Sequence, residues 1–160
     1  MWLTHSHFDH CGGVQPIKKR FNGVILKGHL SEKEFRANAG DIAQSWGIPG
    51  ITSCPEPDEY LNDGDQFDWK GIRISVLFTP GHSPGHLCYY LPEIGVLFCG
   101  DTVFSGSIGR TDLPGGNFEL LIRSIKDKIL ILPNETRLLP GHGPDTTVER
   151  EKFSNPFLKQ

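Results

Sequence analysis

Thr4-His5-Ser6-His7-Phe8-Asp9-His10-Cys11-Gly12-Gly13 places three histidines and an aspartate within six positions of one another. One helix cannot gather them, because residues two apart on a helix point away from each other. An extended segment that then turns lets His5 and His7 face one metal ion while Asp9 and His10 swing towards a second. Imidazole and carboxylate donors suit Zn²⁺, Fe²⁺ or Mn²⁺ without a thiolate cluster. The plain alternative is a surface histidine cluster with no chemistry attached.

Three downstream stretches favour the metal reading. Phe78-Thr79 runs into Pro80-Gly81-His82, Phe98-Cys99 into Gly100-Asp101, and Leu139-Pro140 into Gly141-His142. Leu3-Thr4 likewise runs into His5, and because loops beyond strand ends are where α/β sheets build their sites, these four loops are expected to converge on one sheet edge. Strands are predicted at Val24-Ile25-Leu26, from Ile72 to Phe78, from Leu87 to Tyr90, from Val96 to Cys99, and more weakly at Arg137-Leu138-Leu139. Ser31 and Glu34 have capping-box spacing and open a helix towards Trp46; Thr146 and Glu149 repeat that spacing before the final segment. Asn117 to about Leu130 reads as a helix with Phe118, Leu121, Ile122, Ile125 and Ile129 on a core-facing side. Short strands alternating with helices give an α/β fold class.

Composition sets the outer bounds. One hundred and sixty residues suit a single domain, residues 1–160, and 37% hydrophobic with 22% charged residues describes a globular chain. A formal charge of −3 offers no broad attraction to nucleic acid or acidic membranes, and no apolar run approaches the roughly 18 residues of a membrane span. Four scattered cysteines make no disulfide scaffold, so a reducing, cytoplasmic setting is expected. Cys11 and Cys99 are read as small buried residues rather than ligands. His29, ahead of Ser31, is read as a surface or helix-entry residue.

H-x-H-x-D-H, T-P-G-H-S-P-G-H, F-C-G-D-T and L-P-G-H-G, in that order, resemble the metallo-β-lactamase superfamily of metallohydrolases. Within it the chain is similar to short bacterial relatives of glyoxalase II (hydroxyacylglutathione hydrolase). The resemblance runs from His5 to the C-terminus and implies an αβ/βα sandwich. By that likeness His5, His7 and His82 would bind one divalent metal ion and Asp9, His10 and His142 another, with Asp101 bridging both. The ions would be zinc first, with iron or manganese as alternatives. His86 falls outside the ligand position and is read as a structural neighbour of the site. Arg110 matches a cation that contacts a glutathione carboxylate, although a plain ion pair explains it equally well.

The implied chemistry is hydrolysis of a small-molecule acyl thioester by a metal-bridging hydroxide that Asp9 orients. A thiol with a pKa of about 8.5 leaves as thiolate without a strong general acid. Two positions where the family carries aromatics hold Asp112 and Pro144, and no C-terminal helical region follows, so weak glutathione preference is expected. A mononuclear iron persulfide dioxygenase is the nearest rival, and a non-catalytic fragment or binding module the next. The family carries several dozen residues ahead of His5, so the chain is read as lacking the N-terminal strands. The strands from Val24 and Ile72 are then expected to have unpaired edges, and the chain to be marginally stable, metal-dependent and prone to association.

Overall fold

The structure, a computed structural model, describes residues 1–159. It is mixed α/β, and the chain forms two compact units, Met1–Leu61 and Asn62–Gln160. Among the described residues, no helix is long and apolar enough to cross a membrane.

The first unit contains α1 (Phe8–Cys11), α2 (Val14–Arg20), β1 (Lys27–Gly28), α3 (Lys33–Ser45) and β2 (Glu59–Tyr60). β1 and β2 are parallel, with Lys27 opposite Glu59, and Trp2 adds a parallel bridge to Lys27. Leu3, Cys11, Val14, Leu26, Ala39 and Cys54 form its core. Val24-Ile25-Leu26 is not a strand; pairing starts at Lys27. The amide of Leu26 donates to the Asp58 carboxylate at 2.7 Å, so a side chain takes the place of a neighbouring strand. The Ser31 reading also needs correction. A 3₁₀ turn, Leu30–Glu32, precedes α3, and its cap is His29, whose Nδ1 accepts from the Ser31 amide at 3.2 Å. His29 is thus a helix-entry residue.

The second unit contains β3 (Gln66–Trp69), β4 (Ile72–Phe78), β5 (Leu87–Leu91), β6 (Val96–Gly100), β7 (Val103–Phe104), β8 (Ser107–Ile108), α4 (Phe118–Ser124), β9 (Arg137–Pro140), β10 (Thr146–Thr147) and α5 (Val148–Ser154). Six strands form one sheet in the order β10-β9-β6-β5-β4-β3. β4–β5 and β5–β6 are antiparallel while β6–β9 is parallel. β4, β6 and β9 therefore run the same way, and their C-terminal ends share one sheet edge. Cys88, Leu97, Cys99 and Leu138 bury one sheet face against Leu121 and Ile125, with Val148 and Leu158 from the C-terminal segment.

The strand from Ile72 lacks the unpaired edge expected of it, because β3 and β5 flank it. Largely exposed and only four residues long, β3 carries no alternation strong enough to read beforehand. The long helix divides: α4 ends at Ser124 and a π-helical turn, Ile125–Ile129, continues it. Leu121, Ile125 and Ile129 are buried as expected, but Phe118 is exposed beside the N-cap. The last cap lies one residue later than the spacing suggested. Thr147 accepts from the Arg150 amide at 3.2 Å, while Thr146 Oγ1 donates to Glu151.

Candidate metal centre

In the first unit, backbone pairing delivers the histidine-rich loop. The Leu3 amide donates to the Lys27 carbonyl at 3.0 Å, which keeps the chain extended up to His5. His7 is still extended (φ −63°, ψ 148°) as N-cap of α1, and the amides of His10 and Cys11 both return to its carbonyl at 3.0 Å. This is the extended-then-turning path the spacing required. The His5 ring centroid is 4.8 Å from that of His7 and 4.1 Å from that of His10. Asp9 Oδ2 lies 3.5 Å from His10 Nε2.

Glu32 holds this loop, and sequence reasoning missed it. Its buried carboxylate accepts from the Ser6 amide, between His5 and His7, at 2.8 Å. No local spacing could reveal a partner twenty-six residues away.

In the second unit, three loops leave the shared strand edge and meet at Asp101. Its Oδ2 stands 3.6 Å from His82 Nε2 and 3.5 Å from His142 Nε2. Asp101 is 6% exposed, while the His142 side chain is 56% exposed. His82 Nδ1 donates to the Arg110 carbonyl at 2.8 Å, which fixes the ring and turns Nε2 towards Asp101. Glycine is required twice here. A Cβ on Gly109 would meet the Asp101 carbonyl oxygen at 1.9 Å, and one on Gly81 (φ +134°) would meet the Leu121 backbone nitrogen at 2.3 Å.

Donor chemistry and spacing within each unit suit a cation. Nitrogen–oxygen separations of 3.5–3.6 Å are too long for good hydrogen bonds. Two donors sharing a tetrahedral ion at about 2.0–2.1 Å stand roughly 3.4 Å apart. The buried thiols are engaged elsewhere: Cys88 Sγ donates to the Cys99 carbonyl at 3.5 Å and Cys99 Sγ to the Val103 carbonyl at 3.6 Å, and burial pushes the Cys88 thiol up to about 11.

His86, fully buried, is occupied elsewhere: Nε2 accepts from the Asp101 amide at 3.1 Å and Nδ1 meets Thr79 Oγ1 at 3.0 Å. Arg110 turns its guanidinium onto Asp112, through Nε to Oδ1 at 2.8 Å and Nη2 to Oδ2 at 2.7 Å. Its carbonyl supports His82, a role the sequence did not suggest.

Residues 1–142 match the family model of the metallo-beta-lactamase superfamily. The chain is 41% identical to a probable metallo-hydrolase, YqgX, of Bacillus subtilis, aligning 98% of this chain with 74% of that one. It is 40% identical to the hydroxyacylglutathione hydrolase GloC of Haemophilus influenzae over the same shares. Among solved structures, BLEG-1 B3 metallo-beta-lactamase superposes with a TM-score of 0.90 at 40% identity, covering 99% of this chain and 76% of that one. TTHA1623 in a di-iron-bound form gives 0.89 at 42% identity, covering 98% and 76%.

Proposed function

The chain belongs to the metallo-β-lactamase superfamily of metallo-hydrolases, and from that membership we propose a binuclear metal-dependent hydrolase of acyl thioesters. The observation that carries the two-ion reading is the single oxygen Asp101 Oδ2 lying between two imidazole nitrogens at nearly equal distance. His5, His7 and His82 would hold one ion, Asp9, His10 and His142 the other, and Asp101 both. Zinc suits the donors best; the di-iron form of a structural neighbour supports iron as a second occupant. Two divalent ions, when bound, lower the pKa of water to about 7 and polarise an acyl carbonyl.

The protein's own residues supply positioning. Arg110 O holds His82 in the tautomer that presents Nε2, and Glu32 fixes the backbone between His5 and His7. Asp9, whose side chain is 42% exposed, would accept a hydrogen bond from the attacking water and orient it. A thiol leaving group asks for no protein acid, since its pKa of about 8.5 lets it depart as thiolate. Arg110 already commits Nε and Nη2 to Asp112, so a substrate carboxylate must share or displace that partner, which supports a small thioester substrate with weak glutathione preference.

The test is hydrolysis of S-lactoylglutathione and of a matched non-glutathione thioester by protein of measured metal content, with and without chelator. Two ions per chain, chelator-sensitive cleavage of both thioesters and less than about 100-fold preference, roughly 2.7 kcal/mol, are expected. One iron per chain with oxygen uptake on a persulfide would establish the dioxygenase instead. Cleavage confined to a β-lactam would overturn the thioester reading and align the chain with its lactamase neighbour.

A further inference from the structure

We propose that His86 is a positioning residue that sets the orientation of Asp101 and, through it, affinity for the metal pair; this rests on Asp101 being a metal ligand. The strand register explains why such a residue is needed. Between Phe98 and Gly100 the β6–β9 pairing shifts, so the sheet ladder is interrupted just before Asp101. Bulges of this kind end pairing and re-aim the side chain that follows. The Asp101 amide, carried past the bulge, donates to His86 Nε2 at 3.1 Å.

That bond dictates the rest of the ring. Accepting at Nε2 requires a lone pair there, so the proton of the neutral ring sits on Nδ1 and is donated to Thr79 Oγ1 at 3.0 Å. The Thr79 hydroxyl then has its own hydrogen for Cys88 Sγ at 3.1 Å. The Thr79 amide meanwhile donates to the His86 carbonyl at 2.9 Å, locking the two residues together where β4 and β5 meet. Thr79, His86 and Cys88 are all fully buried, so the chain of bonds has one arrangement. From the other side the Asp101 carbonyl is closed in by Gly109, where a Cβ would stand 1.9 Å away. Asp101 is thus held at its amide by His86 and confined at its carbonyl by Gly109, which leaves its carboxylate aimed at His82 and His142.

The two histidines of Gly81-His82-Ser83-Pro84-Gly85-His86 divide the work by ring nitrogen. His82 gives Nδ1 to a backbone carbonyl and presents Nε2; His86 spends Nε2 on a backbone amide.

The experiment compares His86→Gln, His86→Asn, His86→Leu and Thr79→Val in the full chain. It reads metal stoichiometry and affinity by titration, and the electronic spectrum after Co²⁺ loading. A glutamine oxygen reaches the place of Nε2, whereas asparagine reaches only that of Nδ1. His86→Gln should therefore keep metal affinity within about threefold of the parent, with its Co²⁺ spectrum. His86→Asn and His86→Leu should lose about 10–100-fold, with shifted bands. Thr79→Val, nearly isosteric, should fall between and keeps the proposal testable where a His86 variant fails to fold. Parent-like affinity and spectrum in His86→Leu and Thr79→Val, or no advantage of glutamine over asparagine, would overturn it. A parent chain that binds no metal would instead overturn the hydrolase reading on which it rests.

Discussion

Arg110 and Asp112 are two residues apart and joined by two parallel charge-assisted bonds, the arrangement that holds a carboxylate ionised most firmly. The Arg110 guanidinium lowers the Asp112 carboxyl to about 2. Because the folded value is depressed, the pairing is complete above the ordinary carboxylate range and is lost as pH falls through about 2. Both side chains are well exposed, so the effect belongs to titration rather than to stability. A carbon-detected NMR titration should place the Asp112 midpoint near 2, and Arg110→Gln should raise it towards the ordinary value of about 3.9, a backbone hydrogen bond still holding it below. A midpoint near 3.9 in the parent would mean the fork is open in solution and available to a substrate carboxylate. At this scale the sequence was legible wherever chemistry and order coincide. His5, His7, His82, Asp101 and His142 stand out as donor types in loops, and Asp9 and His10 as donors in the short α1 that follows; as metal ligands all seven are a proposal. Glu32 and the Arg110 carbonyl were not legible, because each acts through a backbone group twenty-six or twenty-eight residues distant.

Elements position the site through three like-directed strands and one capped helix. Asn117 Oδ1 accepts from the Leu120 amide at 2.9 Å, and the Asn117 amide donates to the Gly81 carbonyl at 2.7 Å. The start of α4 and the loop before His82 therefore share a residue. Asn117→Ala removes the cap but not the amide bond, and should cost about 1 kcal/mol in denaturant unfolding, with Asn117→Asp recovering most of it. Unchanged stability in Asn117→Ala would show that the Gly81 contact alone fixes the helix start. The strands at Ile72–Phe78, Leu87–Leu91, Val96–Gly100 and Arg137–Pro140 were readable to within a residue, because each is a continuous apolar or alternating run. β1, β2, β7, β8 and β10 were not, since a two-residue strand has no period. Capping was misplaced where a serine or threonine matched the spacing while a neighbour, His29 or Thr147, held the right backbone conformation.

Over the whole molecule the proposed donors are dispersed, four in Met1–Leu61 and three in Asn62–Gln160. His82, Asp101 and His142 come together only when the second unit folds, so ions that need them bind the native state and raise its stability by mass action. At a free metal concentration of about 100 times Kd, one such site contributes about 2.7 kcal/mol. For a chain of 160 residues each kcal/mol moves Tm by about 2–4 °C, so each ion bound should raise it by roughly 5–10 °C and chelator should reverse the rise. Differential scanning calorimetry at fixed pH measures this directly. The sharper outcome comes from removing one donor in each unit. His5→Ala lies in the first and Asp101→Ala in the second, and each should remove most of the metal-induced rise measured against that variant's own metal-free Tm. A rise that survives in both variants would place the ions on other residues. A rise lost in only one would show that the ions depend on that unit's donors alone.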